Sequence, residues 1–199
     1  MDSRGERTRE RLLAATVEVI ARDGWDAATA RKIASTAGVN AGLINYHFGS
    51  KANLMLAALE ATLEAEVAAP LHDAGDGAEP EPPAVIASLV RLTLGPQISP
   101  DARRVFESAL AAIVGDPELA AALRPTLRRF RGLLADVFDS AIAAGRMPPT
   151  DTEALAILCA AMLDGLWLHS LIDPDLPSER IAEGAATLFA RAAPPDAST

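Results

Sequence analysis

Apolar residues recur at helical spacing along most of this chain. Positions that repeat three and four residues apart share one face of a helix, and this pattern predicts an amphipathic helix. The first such helix is predicted from about Arg4 to Asp23, and Gly24 follows at a position where helices commonly end. No segment shows the alternating pattern of a β-strand. The pattern therefore predicts an all-α protein of about nine helices.

Capping residues predict the limits of the next three helices. Ser, Thr and Asn side chains accept hydrogen bonds from the free N–H groups of a first turn, and glycine often follows a last turn. The predicted caps are Thr29 for a helix over Ala30–Ala37 that ends at Gly38, Asn40 for a short helix to Tyr46 or His47, and Ser50 for a helix to about Ala69.

Residues 70–83 contain four prolines, two glycines and several acidic residues, which predicts a loop and the best internal break in the chain. Further helices are predicted over Ala84–Leu94, from Ser99 to about Val114, from Asp116 to Ala144 with a kink or restart at Pro125, from Asp151 to Ile172, and over Ser178–Arg191. We expect two domains, at residues 1–55 and 56–199.

Composition narrows the class of protein. Half of the residues are hydrophobic, which is enough for a packed core. A single cysteine, Cys159, excludes an internal disulfide and a cysteine-rich metal site, and no cofactor or metal is expected. No apolar stretch reaches about 18 residues without interruption, and the N-terminus is polar, so we expect neither a transmembrane helix nor a signal peptide. A cytoplasmic protein is the simplest expectation.

Charge is distributed unevenly between the two predicted domains. The chain carries a net charge of −9, with +2 in residues 1–55 and −11 in residues 56–199. A DNA-binding domain needs only one basic face, and an acidic remainder discourages non-specific adhesion to DNA. The negative total therefore does not exclude nucleic acid as a partner.

Two short helices joined at Gly38-Val39-Asn40 predict a helix-turn-helix, in which the second helix enters the major groove of DNA. Apolar Ile33, Ala34, Val39 and Ile44 would hold the angle between the helices. A purely structural helical corner is the alternative, because helical hairpins that contain glycine are common.

The residues that follow the turn carry a specific resemblance. This part of the chain resembles the DNA-binding domain of the TetR family of repressors. The matching residues are Thr29, Arg31-Lys32, Ile33-Ala34, the stretch from Gly38 to Phe48, Ser50-Lys51 and Leu54. The resemblance covers about residues 8–58. It implies a homodimeric transcription regulator that binds a palindromic DNA operator as a repressor and is released by a small-molecule effector.

The same resemblance assigns roles to individual residues. The family contacts phosphates at the positions of Thr29, Tyr46, His47 and Lys51, and it reads base edges at those of Arg31, Ala41, Gly42 and Asn45. Asn40 is a further predicted DNA-binding residue. Arg31 could bind guanine and Asn45 could pair with adenine. Family members usually carry an aromatic residue where this chain has Asn45, so its base-reading face is small. Arg4 and Arg7 of the N-terminal arm are further candidates for DNA contact, whereas Arg9 and Arg11 are expected to be solvated.

The C-terminal helices are expected to bind the effector and to form the dimer. The run Asp164-Gly165-Leu166-Trp167-Leu168-His169 is similar to betaine-regulator-type members of the family, although it does not establish their ligand here. The predicted pocket residues are Phe106, Leu110, Phe130, Leu134, Met162 and Trp167, for each of which plain core packing is the competing interpretation. The predicted dimer interface comprises Leu158, Met162, Leu166, Ile181, Ala185 and Leu188.

Two other classes of function compete with this interpretation. An enzyme would need a catalytic or cofactor-binding motif, and none is recognisable in the sequence. A helical protein-interaction module that no longer binds DNA is the second alternative, and Asn45 together with the acidic total favours it slightly.

Overall fold

A computed structural model describes residues 3–68 and 81–191, and all regular secondary structure within those ranges is helical. The α-helices are α1 (Ser3–Asp23), α2 (Ala30–Ala37), α3 (Gly42–Phe48), α4 (Lys51–Leu63), α5 (Pro82–Leu94), α6 (Pro100–Gly115), α7 (Pro117–Ala143), α8 (Thr152–Ile172) and α9 (Ser178–Arg191). The prediction of an all-α fold is confirmed.

Hydrogen bonds from capping residues explain why several helices begin and end where the sequence predicts. The Thr29 hydroxyl accepts a hydrogen bond from the Lys32 N–H at 3.3 Å, and the Ser50 hydroxyl accepts one from the Asn53 N–H at 3.1 Å. Gly38 ends α2 with a φ of 62°, a left-handed conformation that favours glycine. These caps confirm the predicted limits of α2 and the start of α4.

The helices differ from the prediction at three places. The α-helix that starts at Lys51 ends at Leu63 and is followed by one π-helical turn, Glu64–Ala68. Helix α5 begins at Pro82 rather than Ala84, because proline is tolerated in a first turn whose N–H groups lack helical partners. Helix α7 continues through Pro125, so the predicted restart is absent and the alternative of a kink stays a prediction. The predicted 70–83 loop otherwise lies mostly outside the described residues.

The chain forms two compact units, and the first comprises residues 1–66 and 99–125. Helix α1 packs against α2, α4 and α6, and α3 packs against α4. Apolar side chains from all of these helices fill its core, including Leu12, Val19, Ile20, Ile33, Ile44, Leu54, Met55 and Val105. This core supports the predicted helix-turn-helix.

The second unit comprises residues 67–98 and 126–199. Helix α5 packs against both α8 and α9, and α7 contributes Leu134 and Phe138 to the core. The rings of Phe138 and Phe189 stack with 5.8 Å between their centroids. Compact packing thus groups α6 with the first four helices, whereas the functional division at residue 55 stays a prediction.

Helix α8 is long and apolar, although Asp164 interrupts its apolar residues. Within the described part of the chain, it is the one helix long and apolar enough to cross a membrane, with a mean hydropathy of 1.8. The core helix of a soluble protein meets the same criteria. Ala156, Cys159, Ala160 and Leu163 pack into the core of the second unit, and 28% of the apolar window is buried within the described chain.

Candidate DNA-binding interface

The helix-turn-helix is built around a small buried cluster. Ile33, Ala34 and Ala37 of α2 are buried together with Ile44 of α3, and Val39 in the turn packs against them. The Gly38 N–H donates to the Ser35 carbonyl at 3.1 Å, and the Val39 N–H donates to the Ala34 carbonyl at 3.0 Å. Buried apolar contacts and turn hydrogen bonds together determine the direction in which α3 leaves the turn.

Helix α3 presents an exposed face made of small and polar groups. Ala41, Gly42, Asn45 and Tyr46 are exposed, and the Tyr46 side chain is 80% exposed. The Asn40 side-chain oxygen accepts a hydrogen bond from the Gly42 N–H at 2.8 Å, so it organises the start of α3. A face without bulky side chains at its first residues allows the backbone of this helix to approach a partner closely.

The C-terminal end of α3 carries its aromatic residues. The rings of Tyr46 and His47 meet edge to face, 4.9 Å between centroids, and His47 is partly buried. Phe48 packs against the core, and the Arg9 guanidinium lies 5.2 Å from the centre of its ring. Arg9 is exposed, as expected, and the contact with Phe48 gives it a partner within the protein.

Two predicted phosphate contacts, Thr29 and Lys51, have partners within the protein. The Thr29 hydroxyl oxygen caps α2, as described above, and the Lys51 ammonium donates to the Ala28 carbonyl at 3.0 Å. An ammonium group has three N–H donors. Lys51 therefore keeps donor capacity for a phosphate while it joins the start of α4 to the segment before α2.

Helix α2 carries one exposed arginine beside an ion-paired lysine. Arg31 is exposed, as is Arg7 in the first helix. Lys32 forms an ion pair with Asp23 at 2.8 Å, and Arg22 forms another with the same carboxylate at 2.9 Å. The hydrogen bond from Arg22, followed by that from Lys32, lowers the pKa of Asp23 to about 2. Arg31 is thus the better candidate of the two α2 cations for contact with DNA.

Arg11 is an organising residue that sequence reasoning missed. Its guanidinium Nη2 donates to the Ala37 carbonyl at 2.5 Å and to the Gly38 carbonyl at 3.3 Å. Arg11 is exposed, as expected, and these two hydrogen bonds add a partner within the protein. Its partners lie 26 and 27 residues away in the chain, and no local sequence signal indicates such a contact.

The six predicted pocket residues do not fall within one compact unit. Phe106 and Leu110 belong to the first unit, whereas Phe130, Leu134, Met162 and Trp167 belong to the second. A groove of about 260 Å³ in the first unit is lined by other residues, namely Leu13, Ala14, Val17, Ala58, Ala61, Thr62, Ala65, Glu66, Ser99 and Ala102. The effector pocket stays a prediction.

The predicted interface residues differ in accessibility. Leu158 and Leu188 are 66% and 68% exposed, which suits a role in contact with a second subunit. Met162, Leu166 and Ile181 pack partly against the core of the second unit. Ala185 is only 6% exposed because it packs inside that core, so it offers little surface to a second subunit.

The single cysteine of the chain is a core residue. Cys159 is buried among the helices of the second unit, and burial raises the pKa of its thiol to about 11. A thiol that is buried and protonated is a poor nucleophile.

Comparisons with known proteins agree with this arrangement. Residues 12–58 match the family model described as bacterial regulatory proteins of the tetR family, and residues 82–194 match the model of the BetI-type transcriptional repressor C-terminal domain.

Individual relatives extend the similarity over nearly the whole chain. The HTH-type transcriptional regulator BetI of Stenotrophomonas maltophilia is 33% identical over 88% of this chain and 89% of its own. BetI 2 of Chromohalobacter salexigens is 30% identical over 84% and 79%. The crystal structure of a transcriptional regulator from Pseudomonas aeruginosa PAO1 superposes with a TM-score of 0.75 at 26% identity, covering 94% of this chain and 89% of that one. This chain belongs to the TetR family, with a BetI-type C-terminal domain, and is a DNA-binding transcriptional regulator rather than an enzyme.

Proposed function

We propose that this chain is a homodimeric repressor that binds a palindromic operator and leaves it when a small-molecule effector binds. The observation that carries the proposal is the presentation of α3. Its Ile44 side is anchored in the core, whereas Ala41, Gly42, Asn45 and Tyr46 are exposed on its other side. A short helix held in this way can enter the major groove.

Sequence recognition would depend on few side chains. Arg31 can donate two hydrogen bonds to guanine, and Asn45 can form a paired contact with adenine. Ala41 and Gly42 bring no donors beyond the backbone, so close backbone approach and contact with thymine methyl groups would supply the rest. The shape of the DNA would contribute at positions that no side chain reaches.

Phosphate contacts would fix the register of the protein on its operator. Thr29 caps the start of α2, Tyr46 and His47 lie near the end of α3, and Lys51 begins α4. Arg4 and Arg7 lie on the exposed first turns of α1. Lys51 lies in the first turn of α4, where the helix dipole adds positive potential. These groups would bind DNA of any sequence.

Dimerisation follows from the need for affinity. One helix-turn-helix makes few contacts, whereas two copies about 34 Å apart can read both halves of a palindrome. Helices α8 and α9 expose leucines that a second copy would cover, and Leu158 and Leu188 are the most accessible of the predicted interface residues. Such a regulator would act in the cytoplasm.

The effector is proposed only by chemical class. Apolar and aromatic residues of the second unit, including Phe130, Met162 and Trp167, suit a small organic molecule with an apolar part. Phe106 and Leu110 lie in the first unit, and their part in effector binding stays a prediction. Two relatives carry the name BetI, which does not identify the effector of this chain.

The experiment begins by selecting binding sites from a random pool of DNA duplexes with the purified protein. A two-fold symmetric consensus is expected, and its affinity should fall steeply with salt because phosphate contacts release counterions. Lys51→Ala should weaken binding to consensus and unrelated duplexes equally, whereas Arg31→Ala should relax the preference at one base pair of each half-site. Arg104→Ala, at an exposed arginine of α6, is the matched control.

Three results would contradict the proposal. They are selection of no consensus, affinity that is insensitive to salt, and unchanged binding by both the Lys51 and the Arg31 variants. Thermal unfolding of each variant must accompany the binding data, because removal of the hydrogen bond from Lys51 to Ala28 also affects stability.

A further inference from the structure

We propose that Arg11 is a positioning residue for DNA recognition: it holds the end of α2 and the turn that follows, and so sets the orientation of α3 without itself contacting DNA. The inference rests on the proposed use of α3 as the recognition helix. It concerns a side chain in α1, outside the helix-turn-helix proper.

The first support is the pair of acceptors that Arg11 binds. The Ala37 and Gly38 carbonyls lie at the C-terminal end of α2, where carbonyl groups lack helical partners and carry the negative end of the helix dipole. One guanidinium nitrogen donates to both carbonyls, at 2.5 and 3.3 Å. A cation placed there satisfies exposed acceptors and stabilises the last turn of the helix.

The second support is the fit between Arg11 and the glycine of the turn. A Cβ atom at Gly38 would lie 3.0 Å from Nη2 of Arg11, a tight contact that would require the guanidinium to shift by a few tenths of an ångström. Gly38 also has a φ of 62°, which disfavours any side chain. The left-handed glycine thus serves two needs, because it ends α2 and leaves room for the guanidinium.

The third support is the rigid base from which Arg11 extends. Its neighbour Leu12 is completely buried and Ala15 is nearly so, which fixes this part of α1 against the core. On the other side, the turn residues Asn40 and Ala41 are exposed. Among the hydrogen bonds described for residues 3–68, Arg11 is the side chain that connects this turn to another helix.

A related contact reaches the far end of α3. The Arg9 guanidinium lies over the Phe48 ring, so α1 contacts both the turn before α3 and the residue that ends it. Arg11 and Arg9 are two residues apart and therefore point in different directions from α1. Two arginines of α1 thus contact the segment that leads into α3 and the last residue of α3.

The test uses two substitutions at Arg11 in the full-length chain. Arg11→Met keeps an unbranched stem and removes the donors and the charge, whereas Arg11→Lys keeps the charge and one donor group. Affinity is measured for the consensus obtained by selection and for an unrelated duplex, each across a series of salt concentrations. Arg104→Met controls for the removal of one surface charge.

A positioning role predicts that Arg11→Met lowers affinity for the consensus by about tenfold, the scale of one charged hydrogen bond, and leaves affinity for the unrelated duplex unchanged. The slope of log affinity against log salt should stay the same, because the number of phosphates bound does not change. Arg11→Lys should recover part of the discrimination between the two duplexes.

Other outcomes would overturn the inference. If Arg11 binds phosphate, both duplexes weaken together and the salt slope becomes shallower by about 0.9 for each phosphate that the variant no longer neutralises. If Arg11 only stabilises the fold, Arg11→Met lowers the melting temperature, and the unfolded fraction of the variant fully accounts for its weaker binding. Should Arg31→Ala change base preference while Arg11→Met behaves as wild type, this inference fails and the proposed function stands. If Lys51→Ala and Arg31→Ala also leave binding unchanged, the proposed function fails as well.

Discussion

Charged side chains near the helix-turn-helix are already engaged before any DNA is present. Lys51 and Arg11 donate to backbone carbonyls near the two ends of α2, and Lys32 is paired with Asp23. The sequence shows these residues only as basic positions near a motif. Which cation faces solvent and which binds the protein depends on contacts between helices, so the distinction between Arg31 and its neighbours requires the fold.

Asp23 permits a test of these ion pairs by pH. Its pKa is lowered to about 2 from an ordinary 3.8 by hydrogen bonds from Arg22 and Lys32, so folding favours the carboxylate. The resulting stabilisation is complete above about pH 4 and is lost as the pH falls toward 2. Asp23→Asn should therefore lower the denaturation midpoint slightly at pH 6, and the difference from wild type should shrink as the pH falls from 4 toward 2.

Urea denaturation at a series of pH values measures this effect. Asp26→Asn, at an exposed aspartate three residues further along, controls for the change in net charge. Because exposed ion pairs contribute little, the effect should be small and should weaken in high salt. A difference between Asp23→Asn and wild type that stays constant down to pH 2 would show that the carboxylate has no special partners.

At the scale of helices, the sequence predicts a helix limit well when the residues that determine it are neighbours in the chain. The limits of α2 can be predicted to the residue because Thr29 and Gly38 act on their own neighbours. The π turn after Leu63 cannot be predicted in this way, since Glu66 within it hydrogen-bonds to Ser99, 33 residues away. The place of Arg11 at the end of α2 escapes prediction for the same reason.

Ser99 connects two of these elements and provides a prediction about stability. Its hydroxyl accepts from the Ala102 N–H at 3.3 Å as the cap of α6 and donates to Glu66 at 2.8 Å. Ser99→Ala removes both hydrogen bonds, and removal of a cap costs about 1 kcal/mol. The variant should unfold at a lower denaturant concentration, and Ser99→Thr should restore most of the stability. Ser140→Ala, at an exposed serine of α7, is the control; equal midpoints for Ser99→Ala and Ser140→Ala would show that the cap is not stabilising.

At the scale of the whole molecule, composition and periodicity predict the fold class but not the grouping of helices. An apolar chain with helical periodicity is expected to pack helix on helix. The inclusion of α6 with the first four helices depends on contacts such as the hydrogen bond from the Trp25 N–H to the Ser108 hydroxyl, at 2.6 Å. Such contacts join residues 83 positions apart, and periodicity carries no information about them.

The proposed dimer gives the prediction that belongs to this scale. Leu158 and Leu188 expose about two thirds of their surface, and a charge placed there would be buried without a partner if a second copy covers these helices. Leu158→Glu should therefore produce monomers, detected by sedimentation or light scattering, while helical content and cooperative melting of the monomer persist. Affinity for a palindrome should fall by about a hundredfold or more, because each half-site is then bound independently.

The matched control is Val114→Glu, which places the same charge at an apolar side chain 90% exposed at the end of α6 and outside the predicted interface. This variant should remain dimeric and bind the palindrome normally. A Leu158→Glu protein that stays dimeric would place the interface elsewhere. The other contradicting result is a monomeric Leu158→Glu protein that binds the palindrome as tightly as wild type does. That result would show that palindrome affinity does not depend on two connected recognition helices, and the proposal of a dimeric DNA-binding form would fail.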